Sequence, residues 1–141
     1  DPKVEFGSTY DYPYLSICTT GTHDMNPLRA WWEEDRGVTQ RFYNHILGAW
    51  GEAPYFCEPW ICEQVVAMHL KSPAMLTVLP LQDWIAMDGN LRRENPHDER
   101  INVPANSRHY WRYRMHLTLE ELLKSDDLNN MIRHKIAESG R

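Results

Sequence analysis

The chain is poor in several things that would direct a first reading. It holds three cysteines, Cys18, Cys57 and Cys62, an odd number without the spacing of metal ligands. That argues against a disulfide framework or a zinc cluster and leaves buried free thiols in a reducing cytoplasm as the expectation. No apolar run approaches the ~18–20 residues that a membrane-spanning helix needs, and the N-terminus lacks the pattern of a signal peptide. Positive charge is short as well. Fifteen lysines and arginines face 20 acidic residues, a net charge of −5, so nothing draws the chain to nucleic acid or to an anionic membrane in general. Internal repeats and low-complexity tracts are missing, and so is an initial methionine, which makes a piece of a longer protein the expectation. Phenylalanine is scarce at three, yet six tryptophans and seven tyrosines make a heavy aromatic load, suited to a large core or to a carbohydrate site.

What is present is ordinary globular material: 141 residues, 42% hydrophobic and 25% charged, near the commonest size of one domain. Residues 1–13 carry turn residues without a period and read as a loop. Residues 14–19, short, apolar and partly β-branched, read as a strand buried on both faces. Asn26 before Pro27 marks a helix start, running to Asp35 with Gly37 as the stop. Thr39 can cap a second helix with Phe42, Ile46 and Leu47 on one side. Pro59 opens a third, to Leu70, with Ile61, Val65 and Met68 inward. Residues 75–81 read as a second buried strand closed by Pro80, followed by a short helical piece over 82–87. Residues 88–107 form a long polar loop, and such loops inside compact domains are usually functional. Residues 108–117 alternate, with His109, Trp111, Tyr113, Met115 and Leu117 on one side. Thr118 with Glu121 is a capping box, and a last helix runs from Asp126 to the stop at Gly140, with Leu128, Ile132 and Ile136 inward.

Strand, helices, strand, helices is the order of an α/β fold with parallel strands. Two strands do not make a sheet with both faces covered, so the pattern favours a piece of a larger α/β fold.

The chemistry concentrates at His23-Asp24, where the first strand gives way to a helix. Three readings compete. Asp24 and Asn26 can simply cap the helix while His23 is a satisfied core histidine. A metal site is the second, although no other His, Cys or Asp stands at ligand spacing. The third is carbohydrate chemistry, with a carboxylate that grips sugar hydroxyls and meets an oxocarbenium-like transition state. A separate reading, nucleic-acid binding through the interleaved Arg108-His109-Tyr110-Trp111-Arg112-Tyr113-Arg114, is opposed by the negative net charge.

Several motifs in order choose among these. Gly21-Thr22-His23-Asp24 resembles the end of the seventh barrel strand in the 4-α-glucanotransferases, the amylomaltase or disproportionating-enzyme family (glycoside hydrolase family 77). Leu79-Pro80-Leu81-Gln82-Asp83 resembles the signature of the eighth strand. Asn102-Val103-Pro104 and then Trp111-Arg112-Tyr113-Arg114 resemble two further family motifs at the same spacing. The stretches around Trp31-Trp32 and around His109 to Leu122 are similar to the cytosolic, plant-like branch.

The resemblance implies that residues 1–141 are the C-terminal portion of a single catalytic (β/α)8 TIM barrel, helix-rich with two parallel-type strands, in a cytoplasmic enzyme. It implies a retaining mechanism run on carboxylates, with no cofactor and no metal. Asp24 takes the role of transition-state stabiliser, while His23 and Asn102 bind substrate. The partners implied are maltosaccharides or α-glucans and the upstream part of the same domain, with neither nucleic acid nor membrane. Trp111 is expected to pack rather than to touch sugar, and Asp83 to hydrogen-bond structurally. Glu33, Glu34 and Asp35 read as a solvated face. The nucleophile and the acid/base belong to earlier strands, so the chain alone is expected to be inactive and prone to self-association through its open strand edges. The alternative is a non-catalytic α-glucan-binding fragment.

Overall fold

The computed structural model describes residues 4–141, so the loop reading for residues 1–3 lies outside the described residues. Over the rest of that loop a single 3-10 turn, Thr9–Asp11, is capped by the Ser8 hydroxyl. Strand β1 (Ile17–Cys18) pairs in parallel with β2 (Leu76–Thr77), Ile17 opposite Leu76 and Cys18 opposite Thr77. Helices α1 (Leu28–Trp32), α2 (Arg36–His45) and α3 (Pro59–Leu70) form the crossover between them. After β2 come α4 (Leu81–Ile85), α5 (Leu119–Lys124) and α6 (Asp126–Ser139). The architecture is thus α/β, helix-rich, with two parallel strands, as expected.

Helix ends governed by local chemistry fall where the sequence puts them. Pro59 occupies the first turn of α3, where its missing N–H costs nothing. Thr118 and Glu121 close the capping box of α5 in both directions. Gly140 ends α6 at φ 78°, a left-handed conformation that glycine adopts without a Cβ clash.

The first crossover helices depart from expectation. Helix α1 ends at Trp32, and Asp35 is the N-cap of α2, accepting from the Val38 N–H at 3.0 Å. Gly37 therefore lies inside α2 and stops nothing. Thr39 is no cap either; its buried hydroxyl donates to the Trp32 carbonyl at 2.6 Å and ties α2 to the end of α1. An acidic residue after a polar run looks like a helix end, yet it serves equally well to begin the next helix.

The core lies on the helical side. Ile61, Cys62, Val65 and Val66 of α3 are buried; Met68, expected inward, is only half-buried, and Leu70 takes that face instead. Leu128 of α6 and Ile85 of α4 pack onto the same cluster. Trp32 is buried edge-on to Phe42 and Tyr43, and its indole N–H donates to the Pro54 carbonyl at 2.9 Å. Each such side chain contributes about 1.5–3 kcal/mol through the area it removes from water. All three cysteines are free and buried in this region or beneath β1.

The strand pair shows the largest correction. Both strands are shorter than expected, and only one face is covered: Cys18 is 1% exposed, while its neighbour Ile17 is 63% exposed. Leu15, Leu76 and Val78 are exposed as well. Successive side chains point to opposite faces, and among the described residues only the helical face meets a partner layer. Residues 108–117 form no strand, although the alternation survives in burial: His109, Tyr113, Met115 and Leu117 are half-buried and Trp111 is the exception.

Candidate functional site at the strand ends

Residues 19–26 leave the C-terminal end of β1 and fold into a tight lip. The Thr19 hydroxyl donates to the Gly21 carbonyl at 2.9 Å, and the Met25 N–H to the Thr22 carbonyl at 3.1 Å. This turn projects His23 and Asp24 outward, with side chains about half exposed. Beside it, a cavity of about 310 Å³ opens between the ends of both strands, walled by Thr22, His23, Leu79, Pro80 and Ile101 among others. A crevice at the carboxyl ends of parallel strands is where α/β folds place their ligands.

The lip is joined to the long loop. The Asn102 side-chain amide donates to Asp24 Oδ1 at 2.6 Å, and its backbone N–H to the His23 carbonyl at 3.1 Å. His23 Nε2 lies 3.3 Å from the same Asp24 Oδ1. His23, Asp24 and Asn102, chosen from the sequence, are therefore brought together across 78 positions of chain. Trp111 rests its ring on the His23 imidazole, centroids 5.2 Å apart and tilted by 46°, and stays exposed at the rim. A carboxylate held by an amide, with an imidazole and an indole alongside, can grip hydroxyl groups and oppose a developing positive charge.

Asp24 and Asn26 do not cap α1. That work falls to Asp83, at the end of the second strand's motif: its carboxylate accepts from the Leu28 N–H at 3.0 Å and from the Thr20 hydroxyl. Burial pushes the Asp83 carboxyl above its usual range, and these two hydrogen bonds pull it back. Its expected structural use is what the geometry displays.

In the acidic run after Trp32, Glu34 and Asp35 are exposed, as expected of a solvated face, and Glu33 is the exception. The Glu33 side chain is largely buried and meets His97 Nε2 at 2.7 Å, Glu34 accepts from the Asn26 amide, and Asp35 is the cap of α2. Interleaved arginines and aromatics in 108–117 are used within the chain too: Arg112 lies over the Tyr110 ring at 4.9 Å, and Arg93 over Tyr113 at 5.5 Å.

Sequence reading missed the fastening of the loop. Arg29, on α1 and buried, donates to the Arg93 carbonyl at 2.6 Å and to Glu99 Oε1 at 3.0 Å. Gln82 donates to the Glu99 carbonyl at 3.1 Å. Burial raises the Glu99 carboxyl to about 7 against the pull of Arg29. Arg100 then reaches two groups of the lip, the Asn26 side chain and the Asp24 carbonyl, and the Asn102 carbonyl of its own loop. None of these residues carries a periodic signal; only two adjacent charges in a polar loop pointed at them. Among the described residues, no group of three or more His, Cys, Asp or Glu side chains could hold a metal ion, and no helix is long and apolar enough to cross a membrane.

An α/β crossover unit with a polar site at its strand ends is the layout of an enzyme domain or a part of one. The comparisons name the family. A family model described as 4-alpha-glucanotransferase, glycoside hydrolase family 77, matches residues 1–119. The chain is 39% identical over all 141 residues to the 4-alpha-glucanotransferase DPE2 of rice, covering 15% of that protein. It is 28% identical over 126 residues to the 4-alpha-glucanotransferase of Chlamydia muridarum, covering 86% of this chain and 23% of that one. Its fold is similar to that of the amylomaltase from Streptococcus agalactiae in complex with acarbose, at TM-score 0.67 and 19% identity, covering 95% of this chain and 26% of that one. The chain belongs to the 4-alpha-glucanotransferase family, and it spans between 15% and 26% of the length of these proteins.

Proposed function

We propose that the chain is the C-terminal portion of a cytoplasmic (β/α)8 barrel that transfers glucosyl units or α-1,4-glucan segments between maltosaccharides, with β1 and β2 as its last two strands. The observation that carries this reading is the Asp24 carboxylate, fixed by Asn102 at 2.6 Å on the C-terminal lip of a parallel strand pair, with His23, which lines the neighbouring cavity, beside it. In a retaining transfer this carboxylate would hold the hydroxyls of the distorted sugar and tighten on them as the ring gains positive charge. His23 and Asn102 would orient the same or a neighbouring glucose.

A retaining reaction also needs two carboxyls about 5–5.5 Å apart, one as nucleophile and one as acid and then base. The family resemblance assigns those two roles to upstream sequence, and Glu33 and Asp83 are engaged instead with His97 and with Thr20 and Leu28. The chain alone is therefore inactive in this reading, and the upstream part of the barrel is its first partner. That segment would cover the open strand face, which otherwise drives self-association.

The test is glucosyl transfer from maltotriose, by the chain alone and with the upstream segment supplied, beside Asp24→Asn. Transfer only in the mixture, reduced by at least about 10²-fold in kcat by the mutation, is the expected result. Transfer by the chain alone that survives Asp24→Asn would overturn the assignment of roles. Trp111 against His23 also permits a sugar-binding reading without catalysis, in which maltotriose changes tryptophan fluorescence while the mixture stays inactive.

A further inference from the structure

Arg100 sits two residues before Asn102, in a loop where an arginine would ordinarily project into water. Here its guanidinium turns inward against the lip. Nε donates to the Asn102 carbonyl at 2.7 Å, Nη1 to Asn26 Oδ1 at 3.1 Å and Nη2 to the Asp24 carbonyl at 3.2 Å. One planar group thus joins the residue that carries the carboxylate, the residue just before the first crossover helix, and the residue whose amide holds that carboxylate. A lysine, with a single point of charge on a flexible stem, cannot span three acceptors in one plane. The guanidinium is itself aimed from behind: its neighbour Glu99 is held by Arg29 of α1, and the Glu99 carbonyl by Gln82 of α4.

We infer that Arg100 is a positioning residue for the sugar site, setting the angle at which the Asp24 carboxylate and the Asn102 amide stand on the lip without itself touching substrate. The inference rests on the glucanotransferase reading for its catalytic consequence, but its geometric content stands apart from it. Without the guanidinium, Asn102 keeps its bonds to the lip but loses the tie that fixes its own carbonyl, and the Asp24–Asn26 turn loses two of its hydrogen bonds to the loop. Misplacement of a catalytic group by about 1 Å costs on the order of 10²-fold in rate.

The experiment uses the complete enzyme that carries this chain, as wild type, Arg100→Ala, Arg100→Lys and Asp24→Asn. Arg100→Ala is expected to lower kcat for maltotriose about 10²-fold with little change in KM, and added guanidinium ion to restore part of it. Arg100→Lys should fall between. Hydrogen exchange in the same proteins should quicken across residues 22–26 and 100–106 and stay unchanged in the core of α3. An unchanged kcat in Arg100→Ala while Asp24→Asn is impaired overturns the positioning role alone. A loss of kcat without guanidinium rescue and with faster exchange throughout also overturns it, because the residue is then merely structural. If wild type and Asp24→Asn transfer glucose equally or not at all, the proposed function fails, and exchange at the lip decides the present inference by itself: unchanged exchange in Arg100→Ala overturns it, and local quickening upholds it.

Discussion

The two sides of the strand pair are made differently. Toward the helices, Cys18 and Leu79 are buried against a core that pairs Thr39 with Trp32, the Trp32 indole with Pro54 and Arg29 with Glu99 Oε1. On the other face Leu15, Ile17, Leu76 and Val78 are exposed. The helical side carries the core, and the strand side leaves apolar side chains open. In this chain, which spans 15–26% of the length of these relatives, one face of the strand pair is packed and the other is open.

That contrast can be broken most strongly from the helical side. Trp32→Ala removes a fully buried indole from the junction of α1 and α2 and is expected to cost about 3–5 kcal/mol, read as a lower midpoint in urea. A midpoint within error of wild type would mean that the helical side is not an independent core.

A second effect is electrostatic. Glu99 titrates at about 7 in the folded chain, raised from 4.5 by burial. Between pH 4.5 and 7 the folded state then holds a proton that the unfolded state has released, so stability falls as pH rises through this window and is level above it. The shift corresponds to at most about 3 kcal/mol. Buried Asp83 tilts stability the same way, and His69, pushed down by burial, tilts it the opposite way below its usual range. Glu99→Gln should therefore flatten most of the slope in urea midpoint against pH. A slope unaltered by Glu99→Gln would remove this carboxyl as its source.

The smallest effect on stability is expected on the open face. Ile17→Ser and Val78→Ser should change the urea midpoint by no more than about 0.5 kcal/mol in the chain alone, yet reduce its self-association in sedimentation velocity. A loss of stability as large as that of Trp32→Ala would show that this face is packed after all.

Legibility in the sequence follows the range of each interaction. The capping box at Thr118, the proline that opens α3 and the glycine that closes α6 are settled within four residues, and all were readable. The boundary between α1 and α2 was misread because Asp35 as an ending and Asp35 as a cap look alike until the Val38 N–H is seen. Burial of the strands was misjudged because an apolar run does not say how many of its faces meet a partner layer within the chain. At the site, His23, Asp24 and Asn102 could be picked out through family motifs, but their mutual hydrogen bonds span 78 positions and no periodicity reports them. Arg100 and the Arg29–Glu99 pair had no motif to flag them.

The bond from Leu28 to Asp83 carries a consequence in time. Helix α1 has five residues, too few to hold itself together, and the acceptor for its first N–H lies 55 positions further along. At synthesis rates of about 5–20 residues per second, several seconds pass before that carboxylate exists. On the ribosome the beginning of the first crossover must wait for α4, which carries Asp83, and the lip that bears Asp24 takes its shape only once the nascent chain has passed it.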